Sequence, residues 1–431
     1  MGDSFNRKDV ETEKKENGRH HHHHSHRRRS KGKFAKFLTK HKSFLGNVAV
    51  ILVAVIAVIA MGIWADSERE AHSIPAPTSG QVPVSGGENG TSVKIEVPFF
   101  PKELTLVSGP AVAYMKADIS VSATAFLEQY RKEGVKLDVG TPVNLGFDIS
   151  GLPVECMVVR SAIEVSENAE YLNSRVYVLK SDERDVKIYH LKTNTQYYYR
   201  ISIEISNGTM QVVQGSFKTA ETPRILSIEG AVNVRDVGGW KTIDGRTIRQ
   251  GMLYRGSELD GAVQADFKLS EQGRNDMLTV LGVASDLDLR ASTSNPYRTD
   301  ALGANVKHVY FDVPMYSSVF ESPEKVRAVF AALADPSNYP VYLHCTYGMD
   351  RTGTFCYLLG ALLGMHEDDL MRDYQLSALS YPVMNDELME EFVTDLRSLE
   401  GKSMQEKVTG YLLSVGVTEN EIASIKEMFI E

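Results

Sequence analysis

Residues 340–356 read Pro-Val-Tyr-Leu-His-Cys-Thr-Tyr-Gly-Met-Asp-Arg-Thr-Gly-Thr-Phe-Cys. A thiol, Cys345, and a guanidinium, Arg351, stand five intervening residues apart, with Gly348 and Gly353 beside them. Those groups fit displacement at phosphorus. Cys345 would attack a phosphate ester and form a phosphocysteine, which water then hydrolyses. The planar fork of Arg351 would hold two phosphate oxygens and the equatorial charge of the transition state. This chemistry calls for no metal and no other cofactor. The plain alternative is a buried cysteine before a helix, with a capping arginine nearby.

A nucleophile of this kind needs a strand to hold it and a helix to face it. The apolar run 341–343 predicts a buried strand, and the apolar stretch 354–365 a helix, with a tight loop between them. Such a loop turns its backbone N–H groups inward, and with the helix dipole they cradle a tetrahedral oxyanion. The same field favours a thiolate.

The loop resembles that of the cysteine-dependent tyrosine phosphatases. It is most similar to the bacterial tyrosine and phosphoinositide phosphatases whose loop reads His-Cys-x-x-Gly-Lys-Asp-Arg-Thr-Gly. His344, Cys345, Gly348, Asp350, Arg351, Thr352 and Gly353 fall in register with it. The resemblance implies a substrate cradle of Thr346, Tyr347, Gly348, Met349, Thr352 and Gly353. Met349 stands where the family has a lysine associated with polyanionic lipid head groups, which weighs against phosphoinositides. Tyr347 stands where a small residue is common.

Two upstream stretches, 230–240 and 251–257, resemble the paired N-terminal motifs of the same family. Their Arg235, Asp236 and Arg255 would either line the phosphate pocket or buttress the loop by hydrogen bonds. A general acid must protonate the leaving oxygen. The candidates rank Asp350, then Asp312, then Asp288, which is read rather as a turn anchor. His344 would orient or stabilise the thiolate, and Thr352 would bond the cysteine during hydrolysis. Cys356 is read as a core cysteine rather than a redox partner.

The phosphatase-like domain spans 223–431 in this reading. Helices at 271–281 and 323–333 alternate with strands at 283–289 and 306–313, and further helices follow at 367–380 and 385–399. That is an α/β pattern with a central sheet covered by helices. The stretch 411–422 resembles the family's C-terminal helical tail. Before it, 138–222 holds short alternating runs, at 143–149, 155–160, 175–180, 186–191, 196–205 and 210–219. They predict an all-β sandwich. The end of this module resembles a fibronectin type III domain, which implies a structural role for Tyr197 or Tyr199. Its partner is unknown, and it is read as a spacer or docking unit.

The segment 91–137 has β-like runs and a helical stretch at 123–133 but no assigned fold. Residues 66–90 read as an extended linker. Residues 44–65 are apolar on every face and long enough to span a bilayer, and a basic cluster before them places the N-terminus in the cytoplasm and the catalytic domain outside. Residues 1–43 lack apolar periodicity and read as disordered. Their run His20–His24 with His26 is a tag or a natural histidine-rich tail. A metal role for it rests on composition alone. The net charge of −9 argues against nucleic acid, and three cysteines supply no disulfide framework. The sequence thus predicts a membrane-anchored phosphotyrosine phosphatase of bacterial type. A phosphoinositide or other phosphate-monoester hydrolase is the competitor, and a non-catalytic binding protein acting through the β module is the alternative of another class.

Overall fold

The structure is a computed structural model that describes residues 93–98, 103–221, 223–290 and 299–431. The expected tail, membrane span and linker at 1–90 lie outside the described residues. Among the described residues no helix is long and apolar enough to cross a membrane.

The first strands are β1 (Lys94–Glu96), β2 (Glu103–Leu104), β3 (Val143–Gly146), β4 (Asp148–Ser150), β5 (Val158–Ser166), β6 (Arg175–Leu179), β7 (Asp185–Ile188), β8 (Gln196–Ile205) and β9 (Met210–Thr219). They form a five-stranded sheet in the order β2-β9-β8-β5-β6 and two ribbons, β1-β4 and β3-β7. Val143, Leu145 and Phe147, from β3 and just beyond it, share one core with Ile163, Ile201, Ile203 and Phe217 of the larger sheet. Along β8 every second residue is buried, which is the pattern of a strand with one face on a core. The expected strand at 155–160 is displaced to 158–166, because Ser161, Ile163 and Val165 supply the buried alternation while 154–157 remain in a turn. Tyr199 is buried in this core, and so is Tyr197. Its ring stacks on Phe217, and its hydroxyl accepts the Lys192 N–H at 2.8 Å.

The unassigned segment serves both neighbours. Its strands β1 and β2 join the β module, whereas its helices α1 (Gly109–Met115) and α2 (Ala123–Lys132) pack on the C-terminal core through Ala111, Tyr114, Ala123 and Leu127. Each begins at a serine whose hydroxyl accepts a first-turn N–H.

The C-terminal part contains strands β10 (Arg235–Asp236), β11 (Leu253–Gly256), β12 (Ser285–Asp288), β13 (Lys307–Tyr310) and β14 (Val341–His344). They lie in the order β10-β11-β14-β12-β13, antiparallel at β10–β11 and parallel elsewhere. The helices are α3 (Glu271–Asn275), α4 (Pro323–Ala334), α5 (Asp350–Leu363), α6 (Glu367–Gln375), α7 (Asp386–Ser398), α8 (Met404–Ser414) and α9 (Glu419–Phe429). The helix expected at 271–281 changes after Asn275 into a π turn, Asp276–Val280. That expected at 367–380 ends at Gln375 and continues as a 3₁₀ turn. Central β14 is buried at every residue, as a parallel strand covered on both faces should be. Leu287, Val341 and Leu343 face a core containing α4 and α5, and Tyr342 faces one built from Tyr254, Met277 and Leu281.

Candidate active site

β14 ends at His344 and α5 starts at Asp350, so 345–349 form the loop between the sheet and a buried helix. Cys345 is almost fully buried at the strand's end. The N-cap of α5 is Met349, whose thioether makes no capping hydrogen bond. The first-turn N–H groups therefore have no side-chain cap, and an anion is the group that would satisfy them. Gly348 has φ +67°, and a Cβ there would lie 2.2 Å from the Gly256 carbonyl oxygen. The turn and the close approach to β11 both require glycine.

Arg351 donates its Nε–H to the Val313 carbonyl at 3.0 Å. Its two terminal nitrogens have no hydrogen bond or ion pair to the described residues, so the fork that would grip phosphate is fixed by its stem and open at its end. Asp350 lies half-buried in the first helical turn. Its Oδ1 accepts the Tyr316 hydroxyl and, at 2.6 Å, the Asn385 side-chain amide.

The other two aspartates are differently placed. Asp312 is exposed, with its carboxylate 4.0 Å from Lys325 Nζ, although the segment it begins runs past Arg351. Asp288 is locked in the sheet. Its carboxylate accepts the Arg290 backbone N–H at 2.8 Å and the Arg290 guanidinium at 2.7–3.0 Å, which anchors a turn and removes it from acid catalysis. Arg290 also reaches Glu258 and Asp260. The same Glu258 ties the loop by donating its N–H to the Thr346 carbonyl at 3.0 Å.

Arg235 and Arg255 work from behind the loop, not inside the pocket. Arg255 is fully buried, donates to the Gly348 carbonyl at 2.8 Å, and pairs with Asp373. Drawing that carbonyl backwards leaves the loop's interior to N–H groups. Arg235 donates to the same Asp373 carboxylate at 3.0 Å, to the Asp373 carbonyl and to Asn233. Asn233 in turn donates to the Tyr347 carbonyl at 3.1 Å. Burial alone would raise the Asp373 carboxyl, but the two guanidiniums outweigh it and hold it below the usual range. Asp236 is a different correction. Its carboxylate accepts the N–H groups of Gly238 and Gly251 and pairs with Arg224, whose other nitrogens bond the carbonyls of His190 and Leu191 in the β module. It anchors the junction of the two parts.

His344 does not meet the thiol through its ring. Its Nδ1 lies 3.0 Å from the Cys345 carbonyl, and its Nε2 lies 3.0 Å from Asp286 Oδ1. Burial would push the imidazole down, but Asp286 and Asp288 outweigh burial and hold it at about 9. The Thr352 hydroxyl is buried with no hydrogen-bond partner among the described residues. Gly353 packs under the Tyr374 ring, where a Cβ would come within 2.9 Å. Cys356 sits in the core of α5, and burial pushes its thiol up to about 11.

Aromatic rings form a wall around Tyr347 of the loop, which sequence reasoning did not anticipate. Tyr347 stands edge-on to Phe267 and Tyr381, at 5.9 and 5.5 Å. Gln264 donates to the Tyr347 hydroxyl, and the Tyr381 hydroxyl donates to the Tyr347 carbonyl. Arg131 of α2 bonds the carbonyls of Ala378 and Tyr381, so the segment before the catalytic domain braces this wall. Asp373, Glu258 and Tyr381 lie outside the loop and the two upstream motif-like stretches, whereas Asn233 lies within 230–240, where the sequence reading gave it no role.

Residues 226–431 match the model of a family described as the tyrosine phosphatase family. A Cupriavidus necator protein named provisionally as a tyrosine-protein phosphatase is 27% identical over 175 residues, covering 35% of this chain and 61% of that protein. A tyrosine-protein phosphatase of Nostoc commune is 25% identical over 209 residues, covering 38% of this chain and 71% of that protein. The chain thus spans less than two thirds of the first of these relatives. The crystal structure of the core catalytic domain of the PP-IP phosphatase SIW14 from S. cerevisiae, in complex with citrate, aligns at 15% identity over 35% of this chain and 90% of its own. Its TM-score of 0.23 is too low to carry an argument. The family match and the named relatives support a phosphotyrosine-type phosphoric monoester hydrolase.

Proposed function

We propose that the protein hydrolyses phosphotyrosine through a phosphocysteine intermediate, anchored to a membrane by residues 44–65 with its catalytic domain on the extracytoplasmic side. The observation that carries this is the loop itself. Cys345 precedes an uncapped helix start, Arg351 presents an open fork, and Arg255 bonds the Gly348 carbonyl.

The Cys345 thiolate attacks phosphorus while the bond to the phenolic oxygen breaks, and Asp350 gives its proton to that oxygen. The Asp350 carboxylate then takes a proton from water as the water oxygen attacks phosphorus. The P–S bond breaks, which releases inorganic phosphate and restores the thiolate. Arg351 and the N–H groups hold the equatorial oxygens in both steps. The wall of Tyr347, Phe267 and Tyr381 favours an aryl ester, since aromatic rings in edge contact add about 0.5–1.5 kcal/mol. Met349 withholds the charge that a polyanionic head group would use. The β module, read as fibronectin type III-like, serves as a spacer or docking unit.

The test is hydrolysis by the full-length chain in detergent, with reductant and chelator, of phosphotyrosine peptide, phosphoserine peptide and phosphoinositides. Turnover of phosphotyrosine that is lost in Cys345→Ser is the expected result. No turnover of any ester would overturn the enzyme reading and transfer the function to the β module.

A further inference from the structure

Strand register gathers metal-type ligands on one face of the catalytic sheet. Asp286 of β12 stands opposite His308 of β13, and Asp288 stands opposite His344 of β14. Side chains alternate along a strand, so residues 286, 288, 308 and 344 project to the same side. His344 Nε2 lies 3.0 Å from Asp286 Oδ1, and His308 Nε2 lies 3.7 Å from Asp286 Oδ2. One ligand atom from each of the three residues lies within 4.8 Å of the other two. All three side chains are more than nine-tenths buried.

Three atoms of this cluster have no hydrogen-bond partner among the described residues: Asp286 Oδ1, His308 Nε2 and His344 Nε2. The 3.0 Å approach of Asp286 to His344 is off the line of a ring N–H. The opposite nitrogen of each ring is engaged. His308 Nδ1 meets Asp300 Oδ1 at 2.7 Å, and His344 Nδ1 meets the Cys345 carbonyl at 3.0 Å. Both partners are acceptors, so Nδ1 of each ring carries a proton, and Nε2 is the nitrogen turned toward the Asp286 carboxylate. A buried carboxylate facing two ring nitrogens calls for a positive charge, supplied by a proton on His344 Nε2 or by a metal ion that displaces it. Nδ1–H held by a carboxylate or carbonyl, with Nε2 open, is also how metal-ligating histidines are oriented. Ligands at ~2.0–2.1 Å from a tetrahedral zinc ion stand roughly 3.4 Å apart. The Asp286 carboxylate meets His344 through Oδ1 at 3.0 Å and His308 through Oδ2 at 3.7 Å, separations on either side of that value.

We infer that Asp286, His308 and His344 form a binding site for a divalent cation of the zinc class, at the strand ends behind the catalytic loop. Asp288 Oδ2 lies 4.0 Å from His308 Nε2 but is held by Arg290, so three protein ligands leave a position for water. The cation cross-links β12, β13 and β14 at the residue preceding Cys345. The site does not depend on the phosphatase reading.

The probe is Co²⁺, whose visible absorption reports its ligands. It is added to the full-length chain with His20–His24 and His26 replaced by alanine and with Cys345→Ser, so that neither the histidine run nor the thiol competes. The expected result is one equivalent bound with a d–d band and no thiolate charge-transfer band. Zn²⁺ is expected to raise the thermal midpoint of the same protein. Both effects disappear in His308→Ala and in Asp286→Asn, the latter keeping the shape of the side chain. Failure of the parent to bind cobalt at hundreds of micromolar would overturn the inference. So would identical bands and midpoints in the parent and both variants.

Discussion

Asp373→Asn separates a structural carboxylate from the chemistry it supports. Asp373 is buried beneath the loop and answers two buried guanidiniums, Arg235 and Arg255. Asparagine keeps the shape and one acceptor but removes the charge, leaving both arginines without a counter-ion. Breaking a buried ion pair costs roughly 3–5 kcal/mol. Asparagine's retained oxygen puts the loss near the lower end, about 3 kcal/mol. At 2–4 °C per kcal/mol for a domain of this size, the thermal midpoint should fall by roughly 6–12 °C. The folded carboxyl titrates below its unfolded value of about 3.9, so its contribution is complete above that pH and is lost as pH falls through the folded value. The gap between wild type and variant should therefore be constant from pH 7 to 5 and close in the acid range. Arg255 also loses its hold on the Gly348 carbonyl, so kcat should fall about tenfold or more with KM less affected. Scanning calorimetry at several pH values and steady-state kinetics read both effects. A midpoint loss under about 2 °C at pH 7, or a gap that persists undiminished well below the carboxylate range, would refute the reasoning.

Gly348→Ala drives a Cβ to 2.2 Å from the Gly256 carbonyl oxygen at positive φ, and should cut turnover by about 10²-fold while the far-ultraviolet spectrum stays native. Asp350→Asn should lower kcat for phosphotyrosine by about 10²–10³-fold but cost far less with nitrophenyl phosphate, whose leaving group needs no proton; equal losses on both would remove Asp350 as the acid. Met349→Lys restores a cation at the helix start, and should shift kcat/KM toward phosphoinositides over phosphotyrosine by roughly tenfold, the equivalent of about 1.4 kcal/mol.

Features that depend on near neighbours in the chain were legible. The apolar run 341–343, the glycines and the helical stretch after 354 announce strand, loop and helix, and the five-residue gap puts Cys345 just past the strand and Arg351 in the first turn of the helix. The α/β pattern followed from periodicity in the same way. The reading was less accurate where backbone geometry changes within one hydrophobic pattern. The π turn after Asn275 and the 3₁₀ turn after Gln375 keep helical burial but not helical hydrogen bonding.

By itself the sequence determined which groups can react and the local scaffold that presents them, because spacing along a strand or helix translates directly into spacing in space. Only the tertiary structure decided what the other charged residues do. Arg235 and Asp236 are adjacent in one motif-like stretch and Arg255 lies in the next, yet Asp236 turns to Arg224 at the module junction while the two arginines turn to Asp373. Arg255 and Asp373 are 118 residues apart. A buried charge takes its role from the counter-charge that packing brings to it, and a separation of that length leaves no periodic trace in the sequence.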